Sequence, residues 1–234
     1  IDLLLIEEIL RKVGGIQLPD LETSLTADNF QTVITYIVES KLSGESSPKE
    51  IFKGLIPAFF ESLKKSKLSL YDISTLISKL VTERHLQAYS DNSDIQSFFE
   101  DYGVAGVVDF AKNMDFLHIV EISVGGNKSD RWIREQISHT TAFLEDGLVV
   151  NELKINRQNI MDNDVLNEQK EILKSFGFEN IDPIVENILF TGENKNKFRI
   201  YVPEGSKLVL SSGVAIDDIT AKFDKDLELQ YFAF

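Results

Sequence analysis

The chain has 234 residues, a formal net charge of −14 and no cysteine. Its length allows one large domain or two small ones, and a 43% hydrophobic content with 16 Phe is enough for a buried core. The acidic balance and six scattered arginines argue against nucleic acid or an anionic lipid surface as partner, because both are held by clustered Lys and Arg, and the missing cysteines exclude disulfides, thiolate metal sites and cysteine nucleophiles.

Residues 2 to 13 read as a helix, with Asp2 as cap, a stripe of Leu3, Ile6, Leu10 and Val13, and Gly14-Gly15 as its end. A short extended piece follows at Ile16 to Pro19. Thr26 is expected to cap a second helix through its hydroxyl, with Phe30, Val33, Ile34 and Ile37 on one face. Ser43 to Pro48 reads as a linker. Residues 49 to 65 form an apolar helix in which Ile51, Phe52, Leu55, Ile56, Phe59, Phe60 and Leu63 are expected in the core and Pro57 is expected to introduce a kink. Ser69 and Asp72 have the spacing of a capping box for a helix over 70 to 82, and Ser93 is expected to cap a small helix over 95 to 100.

The pattern then changes. Phe116 to Val124 reads as a buried strand. Residues 131 to 144 alternate, with Ile133, Ile137 and Phe143 on one face, and Asp146-Gly147 has hairpin-turn chemistry. Val149, Leu153 and Ile155 continue the buried face on the return strand. A polar, partly helical stretch over 160 to 196 reads as an insertion. Further strands are expected at Phe198 to Val202, Lys207 to Leu210 and Leu227 to Phe234. This order predicts an α+β fold: a helix-rich, α/β-like part over 1–128, then an antiparallel sheet or sandwich-like part over 129–234. No segment approaches the roughly 20 apolar residues that span a bilayer. The chain starts at Ile1 without methionine and its last residues read as strand interior, so both ends are expected to be cut.

Among candidate sites, Gly125-Gly126-Asn127-Lys128-Ser129-Asp130 stands out. It follows a buried strand, and its two glycines allow a backbone whose N–H groups point at an anion, with Lys128 adding charge. The competing reading is a strand-to-strand corner that needs glycine for its geometry and Asn and Asp for its turn bonds. It is no P-loop, since Asn127 stands where that motif has glycine. Asn127-Lys-Ser129 also matches a glycosylation triplet. His85, His118 and His139 lack metal-ligand spacing, and no Gly-x-Ser-x-Gly elbow accompanies them. Asp91-Asn-Ser-Asp94 and Asp162-Asn-Asp164 read as helix caps or turns, because neither completes a calcium loop.

The run Asp115-Phe-Leu-His-Ile-Val-Glu-Ile-Ser-Val-Gly-Gly-Asn-Lys-Ser-Asp130 resembles the hallmark of a bacterial domain-of-unknown-function family, numbered four-zero-one-two. Val13-Gly-Gly-Ile-Gln-Leu-Pro19, Leu25 to Phe30, Glu83 to Tyr89 and Phe198 to Ser206 resemble it too. The resemblance covers most of the chain outside 160 to 196. It implies an exported protein on the extracellular face of the bacterial cell membrane, held by an anchor outside this chain. The first half of that family is similar to LytR-type transferases, which load wall polymers from lipid pyrophosphate carriers using clustered arginines and an aspartate-bound magnesium.

The expected function is therefore a cell-envelope binding or structural module without cofactor or catalytic residues of its own, meeting an envelope protein or glycan. The alternative is part of a LytR-like, magnesium-dependent enzyme whose active site lies mainly upstream, with Lys128 and Asp130 as supporting residues. A third option is an assembly subunit whose last strand, 227 to 234, pairs with a neighbouring chain.

Overall fold

In the computed structural model, the structure describes residues 3–18, 21–40, 51–107 and 115–234. Among the described residues five helices come first: α1 (Leu3–Val13), α2 (Phe30–Glu39), α3 (Ile51–Lys65), α4 (Leu70–Thr82) and α5 (Ser93–Asp101). Strands and short helices follow: β1 (His118–Ser123), β2 (Ile133–Phe143), β3 (Val149–Asn159), α6 (Asn163–Ser175), α7 (Pro183–Glu186), β4 (Asn196–Val202), β5 (Thr220–Asp224) and β6 (Leu229–Ala233). The fold is α+β, with every strand pair antiparallel.

The chain divides into two compact units. The first comprises Ile1–Met114 with Glu171–Asn180, and the second Asp115–Lys170 with Ile181–Phe234. Helix α6 thus begins in the second unit, and its last turns belong to the first.

In the first unit, α1 ends where Gly14 and Gly15 take positive φ and both N–H groups return to the Leu10 carbonyl. This is the glycine stop the sequence predicts. Ile16 then bridges to Leu25, and α2 buries Phe30, Val33, Ile34 and Ile37. Thr26 does not cap α2 through its hydroxyl. Instead the Thr26 N–H donates to Asn29 Oδ1 at 2.8 Å, and the helix starts at Phe30. Leu173 is fully buried, and the Phe178 ring lies 4.9 Å from Tyr36, so the returning segment is part of this core.

The capping box of α4 forms as expected, with Ser69 and Asp72 exchanging bonds. Helix α5 is capped by Asn92 instead of Ser93: Asn92 Oδ1 accepts from the N–H groups of Asp94 and Ile95. Helix α3 runs through Pro57 and buries Leu55, but Ile56 and Phe60 are exposed, so its apolar stripe is only partly core. Asp2, Pro19 and the 43–48 linker lie outside the described residues.

The second unit holds a four-stranded sheet in the order β1-β4-β6-β5 and a separate two-stranded hairpin, β2-β3. Strand β6 pairs with β4 on one side and β5 on the other, so the segment expected to offer an open edge is interior. The stretch 207–210 is not a strand, and Val209 and Leu210 are exposed; β5 is the strand that periodicity misses. Strand β1 is half-buried.

The segment 160–196 contributes buried anchors. Val185, Leu189 and Phe190 are buried, and the Trp132 indole N–H donates to the Leu189 carbonyl at 2.8 Å. A polar average hides these anchors because α6 and the flanking turns supply most of the residues.

Candidate functional site

The 125–130 loop lies between β1 and β2 and is bound to the segment that precedes β4. Asn127 is the hinge of this union. Its Nδ2 donates to the Glu193 carbonyl at 2.8 Å, while its Oδ1 accepts from the Ser129 N–H at 3.1 Å and the Ser129 hydroxyl at 2.6 Å. Ser129 is buried, and the Lys128 N–H donates to the Ile188 carbonyl at 2.7 Å.

Gly125 and Gly126 make the corner, Gly126 with φ of +68°. The close approach also needs Gly192: a Cβ there would lie 2.6 Å from both Asn127 Nδ2 and the Asn187 carbonyl oxygen. Two N–H groups that an anion would need, those of Lys128 and Ser129, are therefore occupied by protein.

Beside the loop lies a polar notch of about 270 Å³, lined by Glu121, Ser123, Asp130, Ile133, Glu135, Arg157 and Asn196. Strand pairing places these groups. β1 pairs with β4 so that Ser123 faces Asn196, and β2 pairs with β3 so that Glu135 faces Arg157. Asp130 Oδ1 accepts from Asn194 at 2.6 Å and from Asn196 at 3.0 Å. Glu121 is bound by both Asn196 and Arg157. Arg157 also stacks over Phe198, 5.3 Å from its centroid.

Arg157 Nε and Glu135 Oε2 lie 3.0 Å apart, within ion-pair range. They are not aligned as a hydrogen bond, so both atoms, like Asn196 Oδ1, are buried without a hydrogen-bond partner. The ion pair holds without that alignment, because opposite charges at this distance attract at any angle.

The carboxyls of Asp130 and Glu135 are pushed in opposite directions. Burial raises Asp130, but hydrogen bonds from Asn194, Ser123 and Asn196, with the Arg157 charge, outweigh it and hold the group below the usual range. Burial and then the negative charge of Glu121 push Glu135 up, against the pull of Arg157. Three carboxylates against one guanidinium give the notch a negative field, which opposes phosphate and carboxylate ligands.

The other expected residues do not converge. His85 faces Glu83 at 3.6 Å, His118 lies beside Tyr201, and His139 meets Asn151 at 3.2 Å. Asp162 caps α6 through bonds to the N–H groups of Asp164 and Val165, as the helix-cap reading expects. Among the described residues no group of three or more His, Asp or Glu side chains is arranged to hold a metal ion.

The sequence reading missed Glu121, Glu135, Arg157, Asn194 and Asn196. A signal was present: Glu135 and Arg157 fall on the same strand face that alternation assigns to Ile133, Ile137 and Ile155.

The hairpin is the other prominent feature. It runs in register from Ile133↔Asn159 to Phe143↔Val149 and closes at Asp146-Gly147, with Gly147 at φ of +83°. Its apolar positions are not a buried face. Phe143 is 80% exposed and Leu148 60%, and Ile137, Leu144, Val149 and Val150 are exposed too.

No family model, no curated protein and no solved structure matches the chain. The resemblance to the four-zero-one-two family therefore stands on the quoted residues alone.

Proposed function

We propose that the chain is a binding module of the bacterial cell surface that engages another protein through the β2-β3 hairpin. The observation that carries this reading is the hairpin itself. It has eleven pairs in register, no other strand beside it among the described residues, and an apolar tip of Phe143, Leu144, Leu148, Val149 and Val150 in solvent. An isolated two-stranded sheet is marginal in water, and apolar side chains exposed on both faces of one tip are a mark of an interaction site.

Glu145 and Asp146 at the turn work against insertion into an anionic bilayer and favour a protein cleft with a basic rim. The surface location follows from the family resemblance. The notch is better suited to fixing the base of the hairpin, since Glu135 and Arg157 bridge its strands there. The transferase alternative needs clustered arginines, whereas this notch holds one arginine already shared between Glu121 and Glu135.

The test is a photo-crosslinking amino acid in place of Phe143, activated in intact cells of the source bacterium. The expected result is a discrete protein adduct that disappears when Leu144 and Leu148 are both changed to Ser, while the melting temperature holds. Adducts to lipid or glycan alone, or none, would sink the reading.

A further inference from the structure

The hairpin has a second property, which rests on its reading as the interaction element and names a partner for its open edge, distinct from the tip. Leu144 N–H donates to the Leu148 carbonyl at 2.9 Å, so 144 and 148 form a hydrogen-bonded pair. Antiparallel pairs alternate, so Ala142↔Val150, Thr140↔Glu152 and Ser138↔Lys154 exchange bonds as well. Asn151, Leu153 and Ile155 consequently turn their N–H and C=O groups outward, and among the described residues no strand pairs with that edge. A long open edge is a template for another strand.

We propose that the partner on this edge is a second copy of the same chain, with β3 pairing antiparallel to β3 about a twofold axis at Leu153. The argument is one of charge and register. Glu152 and Lys154 flank Leu153, both are exposed, and they lie on one face, 3.0 Å apart. An axis at Leu153 sets Glu152 of each copy opposite Lys154 of the other, twice by symmetry.

Moving the axis by one residue either way reverses this. At position 152 it opposes the two Glu152 side chains, and at 154 the two Lys154 side chains. Each of these three axes still joins outward-facing residues to outward-facing residues, so backbone bonding does not choose between them and the charges do. Strand β2 offers no comparable match: Arg134 and Glu135 are neighbours on opposite faces, and Glu135 is already held by Arg157. The result is a continuous four-stranded sheet shared by two copies, with an isologous interface that closes on itself.

The experiment is sedimentation equilibrium of the whole chain at about 0.15 M ionic strength, with the wild type and two charge variants. The wild-type protein is expected to dimerise. Lys154→Glu should weaken association by about tenfold, since two attractive pairs become repulsive. The swap Glu152→Lys with Lys154→Glu should restore it.

Because the chain has no cysteine, a single introduced one reports on the axis alone. Leu153→Cys should form an intermolecular disulfide on oxidation, its Cα atoms being about 5.5 Å apart across a bonded pair. Asn151→Cys should not, because the two copies of that position are separated by roughly 14 Å along the strands. A wild-type monomer up to about 1 mM, a swap that fails to restore association, or crosslinking at 151 in preference to 153 overturns the self-pairing. None of these outcomes touches the adduct test at Phe143, which decides the wider reading of the hairpin separately.

Discussion

Asn127 shows how one side chain joins two segments that are distant in sequence. It bonds a carbonyl 66 residues away and the N–H and hydroxyl of buried Ser129 at the same time. Asn127→Ala is expected to cost about 1–3 kcal/mol in urea unfolding, because buried groups of Ser129 lose their acceptor. Glu135 gives a pH prediction of definite sign. Its carboxyl is raised above the ordinary value, so its contribution favours the fold at low pH and is lost as pH rises through the raised value. Glu135→Gln should therefore flatten the stability profile on the alkaline side of pH 4.5, the ordinary value, and thermal melts across pH 4 to 8 will show whether it does. The corner role of the 125–130 loop was legible because glycine, asparagine and aspartate carry turn chemistry in their own covalent structure. Asn194, Asn196 and Arg157 were not, since their roles exist only once β1 meets β4 and β2 meets β3.

Elements whose signals are local were read well. The Ser69–Asp72 box and the Asp146-Gly147 turn formed where spacing placed them, because each is closed by bonds within a few residues. Ser69→Ala is expected to cost about 1 kcal/mol through loss of the α4 cap, measurable as a lower urea midpoint at unchanged slope. Readings that required knowing which face is covered went wrong. Alternation in β2 and β3 is real, but it marks a strand and not the side that is buried, and Phe143 and Val149 ended in solvent. Likewise the apolar content of 207–210 suggested a strand, whereas the more charged Thr220–Asp224 became one by pairing with β6. Neither outcome is encoded in local propensity, because sheet membership depends on the partner strand.

The α+β succession of helices and then antiparallel strands was legible from the change of period along the chain. The interleaving of the two units was not, since a helix pattern does not say which core its last turn joins. At this scale the net charge of −14 carries a prediction of its own. Self-repulsion opposes the compact state, so the melting temperature should rise as sodium chloride is increased from about 0.01 to 0.15 M. An unchanged or falling value would mean that local pairs such as Lys170–Glu186 outweigh the repulsion.

Helix α6 has a consequence for how the chain is made. A ribosome delivers residues in order, and Leu173 and Phe178, which complete the first core, emerge after the whole β2-β3 hairpin. The part of that core which these residues complete, the Tyr36 ring included, then waits uncovered while later residues are synthesised. The second sheet is also late, because its interior strand β6 comes after every strand it joins. Neither unit can close early, so a nascent chain of this protein stays open to chaperones, and to any machinery that handles unfolded polypeptide, until synthesis is well past its midpoint.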